Sequence, residues 1–162
     1  MEKIAVFPGS FDPFTIGHES VINRALSLFD RIIIMIGVNN TKRYLFSIEN
    51  RKRMIEDLFS TEVKIEVQIY NGLTVDFCKE IGATHILRGL RTSADFEYER
   101  AIAQVNKKML PAIETVFFLT LPEHTPINSS VVRDIITHHG DVSMFVPEKL
   151  DLKKYFKNEN VE

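Results

Sequence analysis

The sequence contains very little cysteine and no tryptophan. Its single cysteine, Cys78, cannot form an internal disulfide, and its place on the apolar face of a predicted helix predicts a buried, inert thiol. Long apolar runs are also missing, because no segment approaches the roughly 18 residues that a membrane-spanning helix needs. The first residues enter a strand pattern at once, so we expect no signal peptide. Together with the missing apolar runs, this leads us to expect no membrane partner and a cytoplasmic location.

An excess of charge of either sign is missing too. The 162 residues include 20 Lys and Arg and 22 Asp and Glu, which gives a formal net charge of −2. Such a chain has no overall positive field, so we expect no nucleic-acid partner, and any anion site must form locally. The length predicts a single domain over residues 1–162. The polar residues at 157–162 predict a frayed tail.

The apolar residues recur with the spacing of strands and helices in alternation. Strands are predicted at 3–8, 31–38, 63–69, 84–87 and 114–119, and helices at 17–29, 47–59, 73–81, 93–110, 129–140 and 147–156. The second strand is apolar throughout, as central parallel strands are, whereas the third alternates, which is typical of a sheet edge. The pattern predicts a Rossmann-like α/β fold, a doubly wound five-stranded parallel sheet in the order 3-2-1-4-5 with helices on both faces.

Polar residues also mark the ends of these elements. Ser47 and Ser93 are expected to cap the second and fourth helices, and Ser129-Ser130 to start the fifth. Gly82 is expected to follow the third helix as its left-handed terminating residue.

A turn rich in glycine and proline, FPGSFDPFTIGH at residues 7–18, joins the first strand to the first helix. Glycine lets the backbone approach a ligand closely, and the free N–H groups of a helix start attract phosphate. His18 adds a side-chain donor in the first helical turn. The segment matches neither the P-loop nor the dinucleotide fingerprint, yet it predicts a phosphate site between strand and helix.

Other cationic and polar residues follow the remaining strands at the same edge of the predicted sheet. Arg88 and Arg91 follow strand four, Lys42 follows strand two, and Ser129-Ser130 follow strand five. In the predicted order, strands one and four are neighbours at the switch point, where ligands bind. These residues are therefore predicted to hold phosphates; solvated side chains and simple helix capping are the alternatives. No catalytic triad and no metal-ligand cluster are indicated, so the predicted chemistry is the positioning of phosphates.

Several motifs together resemble those of a known family. GSFDPFTIGH at 9–18 is similar to the signature of the nucleotidyltransferase superfamily, and ILRGLR at 86–91, ADFEYE at 94–99 and GDVSMFVP at 140–147 are closest to phosphopantetheine adenylyltransferases. The resemblance implies transfer of the adenylyl group of ATP to 4′-phosphopantetheine, which gives dephospho-coenzyme A and pyrophosphate. It also implies Mg²⁺ carried with ATP, a homohexamer, and coenzyme A as a product-like ligand.

The same resemblance implies roles for individual residues. The catalytic residues would be His18, Lys42 and Arg91. ATP would be held by Ser10, Phe11, His18, Gly89, Leu90, Arg91, Glu99, His124, Thr125, Pro126, Ile127, Asn128, Ser129 and Ser130. The acceptor 4′-phosphopantetheine would contact Ser10, Lys42, Thr74, Arg88 and Asn106. The family more often has Ser or Thr where this chain has Asn128, and an aromatic residue near the position of His124.

Two other functions are compatible with the motifs. A sister nucleotidyltransferase would use nicotinamide mononucleotide or an alcohol phosphate as the acceptor, and it would share His18 and the start of the fifth helix. A non-catalytic sensor of ATP or coenzyme A would keep the arginines but would not require His18 and Lys42 together. The joint presence of these two residues therefore favours an enzyme.

Overall fold

Strands and helices alternate along the chain as the apolar patterns predict. The structure is a computed structural model that describes residues 2–156, so the tail predicted at 157–162 lies outside the described residues. The elements are β1 (Ile4–Gly9), α1 (Ile16–Ala25), β2 (Arg31–Gly37), α2 (Ile48–Leu58), β3 (Ile65–Tyr70), α3 (Thr74–Glu80), β4 (His85–Leu90), α4 (Ser93–Met109), β5 (Glu114–Leu119), a 3₁₀ turn (Pro122–His124), α5 (Ser129–Thr137) and α6 (Lys153–Phe156).

The five strands form one parallel sheet in the order β3-β2-β1-β4-β5, which confirms the predicted topology. β2 lies inside the sheet, and its residues 32–36 are all buried, as its continuous apolar run predicts. β3 lies at an edge, as its alternating sequence predicts. It begins at Ile65, two residues later than predicted, and the preceding Val63 is 96% exposed.

Alternate residues of β2 pack into cores on opposite faces of the sheet. Ile32, Ile34 and Ile36 join one cluster with apolar residues of α1 and α2, whereas Ile33 and Met35 join another with residues of α3. Fully burying one such side chain stabilises the fold by about 1.5–3 kcal/mol. Cys78 belongs to the second cluster, so the prediction of a buried thiol is confirmed, and burial raises its pKa to about 12, which disfavours the reactive thiolate.

A third cluster holds the C-terminal part of the described chain against α2. Its buried members are Phe46, Met54, Val132, Val146, Leu150, Leu152 and Tyr155. The Tyr155 hydroxyl donates to the Asp57 carboxylate at 2.7 Å, and the Asn50 side chain donates to the Tyr155 carbonyl at 2.8 Å. The helix predicted at 147–156 is therefore wrong over most of its length, because the chain turns at 147–152 to bury these apolar residues and is helical only at Lys153–Phe156.

The ends of the helices agree with the sequence patterns to within a few residues. Ser47 caps α2, and Gly82 follows α3 in the left-handed conformation with φ of 67°, so both predictions are confirmed. The cap of α4 is Thr92 instead of Ser93, since the Thr92 side chain accepts from the Asp95 N–H. At α5 the capping side chain is Asn128, one residue before the predicted start.

We predict that Ile34→Ala lowers the free energy of unfolding by about 2–5 kcal/mol, because it removes three buried carbons from the centre of the sheet. Ile69→Ala on the edge strand is the matched control, since Ile69 is 38% exposed, and it should cost under about 1 kcal/mol. Urea unfolding followed by circular dichroism measures both. Equal losses in the two variants would contradict the assignment of β2 to the interior of the sheet and of β3 to its edge.

Candidate active site

The turn between β1 and α1 owes its shape to a buried aromatic side chain. Phe11 has a left-handed backbone with φ of 50°, and its ring lies 5.5 Å from the ring centres of both Phe7 and Phe14. A Cβ atom on Gly9 would lie 2.7 Å from the Phe11 ring, so only glycine fits at the end of β1. The turn is therefore packed around the Phe11 ring, while its residues Gly9 and Ser10 line the cavities described below.

A fully buried carboxylate anchors this turn to its neighbours. Asp12 accepts from the backbone N–H groups of Leu45 at 2.8 Å and Phe46 at 2.9 Å. Arg133 of α5 lies 3.8 Å from the same carboxylate and donates to the Asp12 carbonyl at 2.8 Å. Asp12 therefore joins the β1–α1 turn to the segment before α2 and to α5. The sequence motif contains Asp12, but it does not indicate this structural role.

Arg51 supports the same turn from α2. Its guanidinium is buried, donates to the carbonyl of Ser10 at 2.7 Å and to that of Phe46 at 3.2 Å, and lies 3.9 Å from the centre of the Tyr44 ring. Burial lowers the pKa of Arg51, although Asp12 and Tyr44 act in the opposite direction. The contacts fix the backbone of Ser10 and the segment that follows Lys42.

His18 lies in the first turn of α1 and is held by the residue that caps this helix. The Thr15 side chain accepts from the His18 N–H at 3.4 Å, and the Thr15 N–H donates to His18 Nδ1 at 3.0 Å. Burial, followed by the charges of Arg88 and Arg91, lowers the pKa of His18 to about 4. The imidazole is therefore uncharged at neutral pH before a ligand binds.

The two arginines of the site are each paired with a carboxylate of α4. Arg88 donates through Nε to Glu99 at 2.7 Å, makes a second contact with the other oxygen of Glu99, and donates to the Pro8 carbonyl at 2.8 Å. Arg91 donates to Asp95 from its backbone N–H at 3.0 Å and from its side chain at 3.1 Å. Burial acts to raise the pKa of Asp95, but the hydrogen bonds from Arg91 outweigh it and lower that pKa.

Two adjacent cavities open at the carboxyl edge of the sheet. The His18 cavity has a volume of about 260 Å³, and the predicted residues on its wall are Phe11, His18, Arg88, Gly89, Arg91, Glu99, Ile127, Asn128 and Ser129. The Lys42 cavity has a volume of about 280 Å³, and the predicted residues on its wall are Ser10, Lys42, Thr74, Arg88, Glu99 and Asn106. Pro8, Gly9, Arg88 and Glu99 line both, so the cavities meet at the Arg88–Glu99 pair.

Five of the predicted ATP contacts do not line either cavity. They are Leu90, His124, Thr125, Pro126 and Ser130. Leu90 is buried in β4, and the Ser130 hydroxyl accepts from Arg133 at 3.0 Å. The segment 124–126 spans the end of the 3₁₀ turn and the residues after it, on the approach to α5. Their contacts with ATP stay predictions.

The structure also adds residues that the sequence reasoning does not assign. Thr15, Arg51 and Asp95 each hold a predicted site residue or its backbone, and Asp12 joins the turn to Phe46 and Arg133. Asp12 and Thr15 lie in the 9–18 motif and Asp95 in the 94–99 motif, but these motifs do not indicate the contacts that the residues make, and Arg51 carries no sequence signal.

Across residues 2–156 we find no helix with the length and apolarity needed to cross a bilayer. The same residues contain no group of three or more His, Cys, Asp or Glu side chains arranged to hold a metal ion.

Comparison with known proteins places the chain in a family. A family model described as Cytidylyltransferase-like matches residues 6–135. The chain is 54% identical to the phosphopantetheine adenylyltransferase of Flavobacterium psychrophilum over 149 residues, which are 92% of this chain and 98% of that protein. It is 48% identical to the phosphopantetheine adenylyltransferase of Bacteroides thetaiotaomicron over 148 residues, which are 91% of this chain and 97% of that one.

The fold is also found in a solved structure of low sequence similarity. A Vibrio parahaemolyticus protein, provisionally identified as a nicotinate-nucleotide adenylyltransferase, superposes with a TM-score of 0.72 at 18% identity, over 98% of this chain and 94% of that one. This likeness concerns the fold alone. The family model and the relatives at 48–54% identity show that the chain belongs to the phosphopantetheine adenylyltransferase family, within the cytidylyltransferase-like nucleotidyltransferases.

Proposed function

We propose that this protein transfers the adenylyl group of ATP to 4′-phosphopantetheine, giving dephospho-coenzyme A and pyrophosphate in the synthesis of coenzyme A. The observation that carries the proposal is the pair of cavities that meet at Arg88. A transfer between two phosphates needs two substrates side by side, with the reacting groups close together. The names of the curated relatives, which are phosphopantetheine adenylyltransferases, identify the two substrates.

The His18 cavity is the proposed site of ATP. Arg91 lies on its wall, and Asn128 and Ser129 bring the start of α5 to it. Free N–H groups at a helix start and a guanidinium both favour the polyphosphate. The resemblance also assigns Leu90, His124, Thr125, Pro126 and Ser130 to ATP, and we propose that they lie beyond the cavity wall toward its adenosine end.

The Lys42 cavity is the proposed site of 4′-phosphopantetheine. Lys42 and Arg88 would hold its phosphate, with Ser10 between the two substrates. Thr74 at the start of α3 and Asn106 on α4 lie on the wall of the same cavity and would contact the pantetheine arm. Glu99 lines both cavities, but its carboxylate is paired with Arg88. The proposed contact of Glu99 with ATP would therefore be made while this ion pair is kept.

The proposed reaction is a direct displacement at the α-phosphorus of ATP. A phosphate oxygen of 4′-phosphopantetheine forms the new P–O bond while the bond to the bridging oxygen breaks and pyrophosphate leaves. The attacking oxygen is already anionic, so no general base is needed. His18, Lys42 and Arg91 would stabilise the charge on the phosphoryl oxygens, and catalysis would come from orientation and electrostatic stabilisation.

We propose that Mg²⁺ arrives with ATP as part of the substrate. The carboxylates on the wall of the His18 cavity, Asp95 and Glu99, are engaged by Arg91 and Arg88, which disfavours them as metal ligands.

The resemblance supports a cytoplasmic homohexamer that also binds coenzyme A as a product-like ligand. Exposed apolar residues at helical spacing on α4 support the assembly, among them Tyr98 at 68% and Val105 at 56% exposed.

The test of the proposed function is pyrophosphate release by the purified protein. With Mg²⁺-ATP we expect release when 4′-phosphopantetheine is offered, and none with nicotinamide mononucleotide, glycerol 3-phosphate or CTP in place of ATP. His18→Ala is the control for the site, and we expect it to fold normally while turnover falls by about 10²–10³-fold, the usual loss of a group that stabilises transition-state charge. Release with another acceptor, or ATP binding without release, would overturn the proposal.

Lys42→Ala tests the assignment of the second cavity. Lys42 is exposed on a loop, so the fold should be unaffected, and loss of one charge-assisted phosphate contact should lower kcat/KM for 4′-phosphopantetheine by about 10–100-fold. Steady-state kinetics should show the KM for ATP nearly unchanged. Arg43→Ala is the matched control, because Arg43 is an adjacent exposed cation outside both cavity walls. The assignment fails if both variants lose activity equally.

A further inference from the structure

The two ring nitrogens of His18 have different surroundings. The Thr15 N–H lies 3.0 Å from Nδ1, and the Thr15 hydroxyl lies 3.1 Å from the same nitrogen. A backbone N–H can only donate, so Nδ1 must be the acceptor in this hydrogen bond. A neutral imidazole with a bare Nδ1 carries its proton on Nε2. The contact with Thr15 therefore defines the tautomer of His18.

The same contact opposes a positively charged ring. Protonation of Nδ1 would bring its N–H against the Thr15 N–H, and two donors cannot share a hydrogen bond; the Thr15 acceptor beside it, the hydroxyl, already accepts from the His18 N–H. The bond from the Thr15 N–H to Nδ1 is one of the two hydrogen bonds of the capping box and would be lost, leaving the one that the Thr15 hydroxyl accepts from the His18 N–H. An imidazolium at this position would thus disturb the start of α1.

The groups around the His18 ring also disfavour a positive charge on it. The centres of the Phe7, Phe11 and Phe14 rings lie 6.1, 5.1 and 5.2 Å from the His18 ring. The charged groups that share the cavity with His18 are two cations, Arg88 and Arg91, and their partner carboxylates, Glu99 and Asp95. Burial and then the two arginines lower the pKa of His18 to about 4. The positive charge of the site lies on the arginines and Lys42, not on the histidine.

We propose that His18 acts on the nucleotide phosphate as a neutral Nε2–H donor, and that Thr15 is the positioning residue that holds this tautomer. The positive charge that stabilises the transition state then comes from Arg88, Arg91 and Lys42. The action on a nucleotide rests on the proposed function. The tautomer is a property of the protein without substrate, so it can be tested separately.

The direct test is nitrogen NMR of the full-length protein labelled with ¹⁵N-histidine. The chain has five histidines, and the signals lost in His18→Gln identify His18. We expect a bare Nδ1 and a protonated Nε2 at pH 7 and also at pH 5.5, where an ordinary exposed histidine is mostly protonated. A proton on Nδ1, or on both nitrogens, at pH 7 would overturn the proposal. Because no substrate is present, this result is independent of whether the protein proves to be an adenylyltransferase.

A pair of neutral substitutions tests the donor atom in the reaction. The amide of His18→Gln places an N–H near the position of Nε2, whereas the amide of His18→Asn places it near Nδ1. We expect the kcat of His18→Gln to exceed that of His18→Asn by about tenfold, a typical effect of aligning a group correctly, with similar KM values. Equal kcat values for two folded variants would contradict donation from Nε2, and if either variant fails to fold, the NMR result on the native protein decides.

Thr15→Val and Thr15→Ser test the positioning residue. The valine variant loses the capping hydroxyl, whereas the serine variant keeps it. Both variants keep the backbone N–H that donates to Nδ1, so we expect the native tautomer in each by NMR. We expect Thr15→Val to lose about tenfold in kcat with little change in KM, because the ring loses the hydroxyl beside Nδ1, and Thr15→Ser to behave like the native protein. If Thr15→Val keeps the native kcat, the side chain of Thr15 does not position His18.

Discussion

Arg88 lies where the neighbouring strands β1 and β4 separate, and the arrangement of the two cavities depends on the contacts of its guanidinium. β1 and β4 are paired only at Ala5 with His85 and Val6 with Ile86, and beyond these pairs the strands separate toward their carboxyl ends. The Arg88 guanidinium bridges the gap by donating to the Pro8 carbonyl of β1 at 2.8 Å. A separation of this kind follows from the change in winding direction at a switch point. The residue that bridges the two separating strands is thus also part of the wall shared by both cavities.

The site concentrates positive charge in a chain whose net charge is −2. It does so by pairing its arginines with carboxylates before any phosphate arrives: Arg88 with Glu99 and Arg91 with Asp95. Each pair reduces the repulsion between neighbouring cations and holds the guanidinium in one direction. Donors that are already oriented need little reorganisation when charge develops during the reaction. The neutral state of His18 fits this arrangement, since a further cation beside Arg88 and Arg91 would be destabilised.

The sequence predicts the sheet order because two strands carry clear patterns, the apolar run of β2 and the alternation of β3. Most of the predicted site residues line one of the two cavities, since polar side chains that follow parallel strands meet at one edge. The sequence does not predict the roles of Asp12 and Arg51, because their partners are 33 and 41 residues distant in the chain. The error at 147–156 has a similar cause: Leu150 has helical spacing from its apolar neighbours, but distant residues of α2 and α5 determine how it is buried.

The central claim is that two substrates react directly across the Arg88 wall. It is tested most directly by the stereochemical course at the α-phosphorus. ATP with sulfur in place of one α-phosphoryl oxygen, in a single configuration, would be converted with 4′-phosphopantetheine, and the configuration of the product determined by ³¹P NMR. We predict inversion, as one in-line displacement requires. Retention would mean two displacements through a nucleotide bound covalently to the protein, and it would contradict direct transfer between the cavities.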